Sequence, residues 1–226
     1  MDNRPAAARA ASDLGGLLGL RFLADVFLAD GGIADVMEKL RRQGLCNFLG
    51  LTGLGDPAAV RQVIASGRFD AAQIYYNLLN PTAARGGGPG WNSTDFDGLL
   101  ERCGEQDMGV MVIRALAAGH LATSTRHGRE MPITTNADDV AEAARARAVQ
   151  AIVEREGGTD AQAALRFALA APRLATVVIG IGEVWHLTEA LAATAMGPLG
   201  EPTLRALEEV WRTHPAFRKA PAPRPG

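Results

Sequence analysis

Two periods of apolar residues alternate along this chain, and the alternation predicts strands followed by helices. Five short apolar runs read as strands: Arg21–Leu28, Cys46–Leu51, Asp70–Tyr76, Gly109–Ile113 and Thr176–Ile179. Between them apolar residues recur at helical spacing. Ile33, Val36, Met37 and Leu40 mark one helix, which stops near Gly44. Val60, Val63 and Ile64 mark the next, with Asp56 as its N-cap and Pro57 at its first position. Phe96, Leu99, Leu100 and Cys103 form the inner face of a third, with Ser93 or Thr94 as candidate cap. Two helices are predicted over 137–155 and 160–171, the second capped by Thr159. A short helix follows over Val184–Ala193. A last one, Thr203–His214, carries Leu204, Leu207, Val210 and Trp211.

Strand alternating with helix argues for a parallel sheet covered by helices. The expected class is α/β, with a barrel of strand–helix units left partial because a closed barrel needs eight strands. Residues 1–20 and the Pro-rich 215–226 read as flexible ends around a domain spanning 21–214.

Composition narrows the function classes. The 226 residues carry 23 Lys and Arg against 25 Asp and Glu, a formal net charge of −2. No basic surplus points to nucleic acid or an anionic membrane as partner. No run approaches the ~20 apolar residues of a membrane span, and Arg4, Arg9 and Asp13 interrupt any signal-peptide core. A cytoplasmic protein is expected. Cys46 and Cys103 stand far apart, as reduced buried thiols do. His120, His127, His186 and His214 form no metal-ligand pattern, so no metal is expected. There is no nucleophile elbow and no Walker loop.

Glycines at two strand ends suit phosphate. The stronger case is Gly180 and Gly182, directly before a helix, where free N–H groups and the dipole favour an anion. A ligand-free tight turn is the competing reading. The other, Gly53-Leu-Gly55-Asp-Pro-Ala58, matches G-x-G-x-x-A but lacks an acidic residue at the end of the next strand. The Gly86–Gly90 run reads as a flexible connection. Gln73, mid-strand among apolar residues, is either a satisfied or outward-facing amide or a ligand contact.

Together, Leu40–Gly53, Asp70–Pro81, Gly109–Gly119 and Thr176–Leu191 resemble, in order and spacing, the aldo-keto reductase family of NAD(P)H-dependent carbonyl reductases. The resemblance covers about residues 22–210 and implies five strand–helix units matching barrel strands four to eight. It places Gln73 and Thr52 at the nicotinamide carboxamide, with Gly53 where the family has asparagine. Arg114, Leu116 and Gly119 fall along the pyrophosphate, and Gly180 and Gly182 in the loop after the last strand. His186 stands where an arginine often grips the 2′-phosphate, and Glu189 at the adenine. Ile113 replaces an aromatic that stacks on nicotinamide.

The implied cofactor is NADP, with NAD as the alternative, and the implied substrate a small carbonyl compound. The family's catalytic Asp, Tyr and Lys come from the first half of the barrel, outside the matched stretches. Asp30 falls near the place of the catalytic His. No catalytic residue is therefore assigned, and carbonyl reduction is expected to be impaired. The alternative is a non-catalytic nucleotide-binding module, or one that self-associates over open barrel edges.

Overall fold

A computed structural model describes residues 23–123 and 138–219. The expected ends at 1–20 and 220–226 lie outside them. Four strands, β1 (Gly50–Gly53), β2 (Ala71–Tyr75), β3 (Gly109–Ile113) and β4 (Leu174–Val177), form one sheet in the order β1-β2-β3-β4. Every pairing is parallel. The helices are α1 (Leu23–Leu28), α2 (Ile33–Arg42), α3 (Pro57–Ala65), α4 (Thr82–Arg85), α5 (Leu99–Glu105), α6 (Asp139–Val153), α7 (Asp160–Leu169), α8 (Val184–Ala195) and α9 (Glu201–Thr213). The sheet is thus a parallel α/β arrangement, consistent with part of a (β/α) barrel.

The two faces of the sheet differ. Ala72, Ile74, Val110 and Val112 point into the helical layer and are fully buried. Thr52, Gln73, Met111 and Thr176 stand opposite one another along one row of the other face. That face is half-open: Gln73 and Met111 are partly buried, Thr52 and Thr176 exposed.

Local signals account for much of the layout. Asp56 Oδ1 accepts from the N–H groups of Ala58 and Ala59 at 2.7 and 3.2 Å, so the expected cap of α3 forms. Thr159 and Gln162 form a reciprocal capping box on α7. The expected Ser93 or Thr94 cap does not form: α5 starts after Gly98, which takes a left-handed conformation with no side-chain cap. The stripe is right even so, since Phe96, Leu99, Leu100 and Cys103 are all buried.

The first expected strand is corrected. Leu23–Leu28 is helical, and among the described residues the sheet has four strands rather than five. Ala24 is buried while Phe27 and Leu28 pack against the core, a helical spacing within a run whose composition suits a strand equally well. Phe27 meets Phe69 at 6.2 Å between ring centroids. Packing against α2 and α3, rather than propensity, selects the helix.

Gly53 also has a structural explanation. A Cβ there would lie 2.9 Å from Ile74 Cδ1 and 3.1 Å from the Gln73 carbonyl oxygen. Close packing of β1 on β2 demands this glycine, so the G-x-G-x-x-A match needs no dinucleotide. The Gly86–Gly90 run is held rather than loose. Arg218 Nη1 donates to the carbonyls of Gly87 and Pro89 at 2.9 and 3.0 Å, and Lys219 N to that of Gly90 at 2.7 Å. The packed region accordingly runs past residue 214 and includes Phe217.

Candidate functional site

The carboxyl ends of β3 and β4 lie side by side, because the two strands are parallel neighbours. Ligands in parallel α/β sheets collect at such ends. After β3 the chain turns sharply. Arg114, Ala117 and Ala118 hold positive φ angles of 63°, 47° and 54°, followed by Gly119 at 93°. Each non-glycine residue in this region costs on the order of 1–2 kcal/mol. The surroundings enforce the turn. Ala117 N donates to the Arg114 carbonyl at 2.8 Å, and Asn77 Nδ2 reaches the same oxygen at 2.8 Å. Asn77 is itself buried, and its Oδ1 accepts from Leu79 N and Asn80 N at 2.8 and 2.9 Å. One amide therefore locks the end of β2 to the end of β3.

The second wall begins after β4. Val178 N donates to the Val112 carbonyl at 2.8 Å, extending the pairing by one residue. The chain then passes through Gly180 and Gly182 into α8. A Cβ at Gly180 would meet nothing within 4 Å, and one at Gly182 would touch the His186 ring no closer than 3.7 Å. Unlike Gly53, these glycines are not required by packing against the described residues, and the backbone there stays open to an approaching group.

His186, in the first turn of α8, folds back on this loop. Its Nδ1 accepts from Gly182 N at 3.3 Å and from Glu183 N at 3.1 Å. Trp185 lies against the imidazole, 4.0 Å between ring centroids, and is 60% exposed. Glu189, one turn on, accepts from Thr159 Oγ1 at 2.6 Å, joining α8 to the cap of α7.

Between these walls lies a cavity of about 390 Å³. Its size falls within the range of small-molecule sites, roughly 300–1,000 Å³. Arg114, Leu116, Gly119, Gly180, Gly182, His186 and Glu189 all line it, seven of the nine residues the sequence singled out. The remaining two, Thr52 and Gln73, lie outside it. They face each other across β1 and β2, where Thr52 Oγ1 donates to Gln73 Oε1 at 3.3 Å. Asp30 sits exposed in the turn after α1, not at a strand end, because the run before it is helical.

Sequence reasoning missed Trp185, which lines the same cavity. Its signal was an aromatic residue in the first helical turn beyond a glycine loop. Asn77 was missed as well, since its role depends on a bond across 37 positions.

Among the described residues that line the cavity, Arg114, His186 and Glu189 are the titratable ones. Partial burial lowers Arg114 from its ordinary value, opposed by the Tyr75 phenol nearby. Tyr75 itself is pushed up to about 12, first by burial and then by the charge of Glu142. Burial raises Tyr76 as well, well above the ordinary phenol range. Both phenols therefore hold their protons in the folded chain beyond pH ~10, the unfolded value. The folded state binds more protons than the unfolded one between about pH 10 and 12, so stability falls as pH rises through that window. We expect no tyrosinate absorbance from the folded protein at pH 10, with signal appearing as the chain unfolds. Half-ionisation of either tyrosine near pH 10 with the circular dichroism unchanged would contradict this.

Among the described residues, no group of three or more His, Cys, Asp or Glu is placed to hold a metal ion. Nor is any helix there long and apolar enough to cross a membrane.

The sequence model described as the Aldo/keto reductase family matches residues 26–212. A search of curated proteins finds no match. Among solved structures, the holo form of aldo-keto reductase AKR11C1 from Bacillus halodurans is similar at a TM-score of 0.55 and 16% identity. The match covers 80% of this chain and 55% of that one. The apo form of the same protein gives a TM-score of 0.55 over 81% and 58% of the two chains. The chain thus spans little more than half the length of these structural relatives.

Proposed function

The chain belongs to the aldo/keto reductase family, and from that premise we propose that the cavity between the β3 and β4 loops binds a nicotinamide dinucleotide, NADP(H) or NAD(H), in an oxidoreductase acting on small carbonyl compounds. One observation carries the reading: seven residues singled out for such a cofactor, 75 positions apart at the extremes, meet around one cavity of suitable size.

The residues fit the group in kind. Arg114 supplies a cation, and the backbone at Gly180, with nothing within 4 Å of where a Cβ would stand, lets a pyrophosphate approach closely. Trp185 offers a ring face to a base, and Glu189 a carboxylate to an amino group or a sugar hydroxyl. Thr52 and Gln73 hold an amide-binding pair on the half-open face of the sheet, suited to a carboxamide. When bound, a reduced nicotinamide supplies the hydride.

The proton needed to complete carbonyl reduction has no evident donor here. Among the described residues, no tyrosine or lysine lines the cavity, and the raised phenol of Tyr75 makes it a poor acid. This favours a second reading, in which the 226-residue chain binds the dinucleotide with little turnover. A cytoplasmic location and self-association over the exposed face of α8, where Val184, Leu187 and Leu191 are bare, belong to the same proposal.

Titration with NADH and NADPH, followed by calorimetry, tests the reading. Saturable binding is expected. Arg114→Gly suits the observed φ of 63° while deleting the guanidinium, so the fold should persist. A charged hydrogen bond contributes about 1.5–3 kcal/mol, and affinity should fall roughly tenfold or more. Wild-type protein that is folded yet binds neither dinucleotide at millimolar concentration would sink the proposal. Dinucleotide oxidation with aldehydes and ketones then separates the two readings, slow turnover favouring the second.

A further inference from the structure

The sheet is open at its sides and on one face. Among the described residues, β1 and β4 each pair with one strand, so each turns a row of backbone N–H and C=O groups outward. The face carrying Thr52, Gln73, Met111 and Thr176 is half-open, whereas all-parallel sheets are covered on both faces. Bare apolar residues gather beside the same two outer strands. Leu45 and Phe48, in the segment entering β1, are 70% and 77% exposed. Val184 and Leu191, on the helix that leaves β4, are 83% and 61% exposed.

Strand count and direction say what suits these edges. A closed barrel of this class has eight parallel strands inside a ring of helices, at roughly 30 residues per strand–helix unit. The segments outside the described residues, 1–22, 124–137 and 220–226, are each shorter than one such unit. A second copy brings four strands of the right direction. Because every pairing in the sheet is parallel, a two-fold axis along the barrel sets β4 of one copy beside β1 of the other at both joints, and all eight strands point one way.

We infer that two copies of this chain close into one eight-stranded barrel, with β4 of each pairing with β1 of the other. The inference rests on the self-association proposed above and gives it a geometry, while dinucleotide binding is independent of it. Closure turns the half-open face into the barrel interior, so the Thr52 and Gln73 pair of each copy is walled in by the other copy. It also sets α8 beside the other copy's α2 in the ring of helices. Leu191, late in α8, and Leu45, just past the end of α2, then fall at the same end of the joint.

Light scattering behind size-exclusion chromatography of the full chain should give the mass of two copies. Leu191→Lys and Leu45→Glu each place an unpaired charge at both joints, and each should weaken the dimer roughly tenfold or more. Mixed one to one, the two variants should regain the two-copy mass. The mixed pair has one unaltered joint and one where opposite charges face each other. That rescue is peculiar to β4 meeting β1, since a dimer built on α8 against α8 would be broken by Leu191→Lys alone and gain nothing from mixing. Near-UV circular dichroism checks folding, and Val184→Lys or Phe48→Glu stands in for a variant that loses its fold. A folded wild type with the mass of one copy would overturn the inference and leave the edges to a different chain. So would an unfolded wild type, variants that stay dimeric, or variants that mixing does not rescue. A mass climbing past two copies would also overturn it, the edges then meeting without closing. Calorimetry with NADH and NADPH on the same samples reads the dinucleotide proposal separately.

Discussion

Phe217→Ala is expected to lower the unfolding free energy by about 3–5 kcal/mol, the usual loss when a buried phenylalanine is truncated. The residue lies in the Pro-rich stretch that reads as a tail, yet it is 0% exposed. Its ring stacks on Trp91 at 5.8 Å, and its carbonyl accepts from Asn92 N at 3.3 Å. The residues around it are anchored too. The Ala216 carbonyl accepts from Arg145 Nε at 3.1 Å and from Asn92 Nδ2 at 2.9 Å. Arg218 Nε donates to the Trp211 carbonyl at 2.8 Å, and its Nη1 holds the Gly87 and Pro89 carbonyls. Phe217 thus fills the joint where α6, α9 and the glycine-rich loop meet. Removing its ring leaves a cavity that these hydrogen bonds keep from collapsing, which places the cost toward the upper part of the range. Urea unfolding with an unchanged m-value measures it. A loss under about 1 kcal/mol would mean that this segment is not part of the cooperative core.

The second large effect is expected at Arg166. This guanidinium is buried, and its Nη2 meets Glu156 Oε2 at 2.8 Å and the Pro198 carbonyl at 2.9 Å. Its Nε donates to the Gly197 carbonyl at 2.9 Å. Glu156 in turn accepts from Gly200 N at 2.9 Å through its other oxygen. The pair therefore ties α7 to the turn that launches α9. Arg166→Ala strands a carboxylate and two carbonyls in a place with little water, and breaking such a pair costs about 3–5 kcal/mol. The double variant Arg166→Met with Glu156→Gln removes both charges and should recover part of that loss. A double variant as unstable as Arg166→Ala would show that packing of the arginine stem, not the stranded charge, sets the cost.

Much of the molecule was legible from the chain, because the signals are local. Asp56 followed by Pro57, and Thr159 followed by Gln162, specify helix starts within three or four residues, and both caps form. Gly109–Ile113 is a strand with the expected bounds, since five apolar residues ending in β-branched ones suit a buried parallel position. Gly180 and Gly182 stand before a helix and do border a cavity. In each case neighbours along the chain carry the physics: a hydroxyl or carboxylate within reach of free N–H groups, a period of two or 3.6, a residue without Cβ.

Other features were settled by contacts between distant segments. Leu23–Leu28 has a composition that serves strand or helix, and packing against α2 and α3 decides for the helix. Gly53 and Gly180 look alike in the sequence. Ile74 crowds the first, while nothing among the described residues crowds the second. Thr52 and Gln73 bond to each other apart from the cavity, a matter of sheet register rather than of residue type. That His186 Nδ1 closes on the amides of Gly182 and Glu183 depends on how the loop enters α8. The sequence by itself therefore determined the α/β class, the caps at Asp56 and Thr159, and the glycine loop before α8. Tertiary structure decided which residues share a cavity and which glycines serve packing, because each depends on groups that only folding brings together.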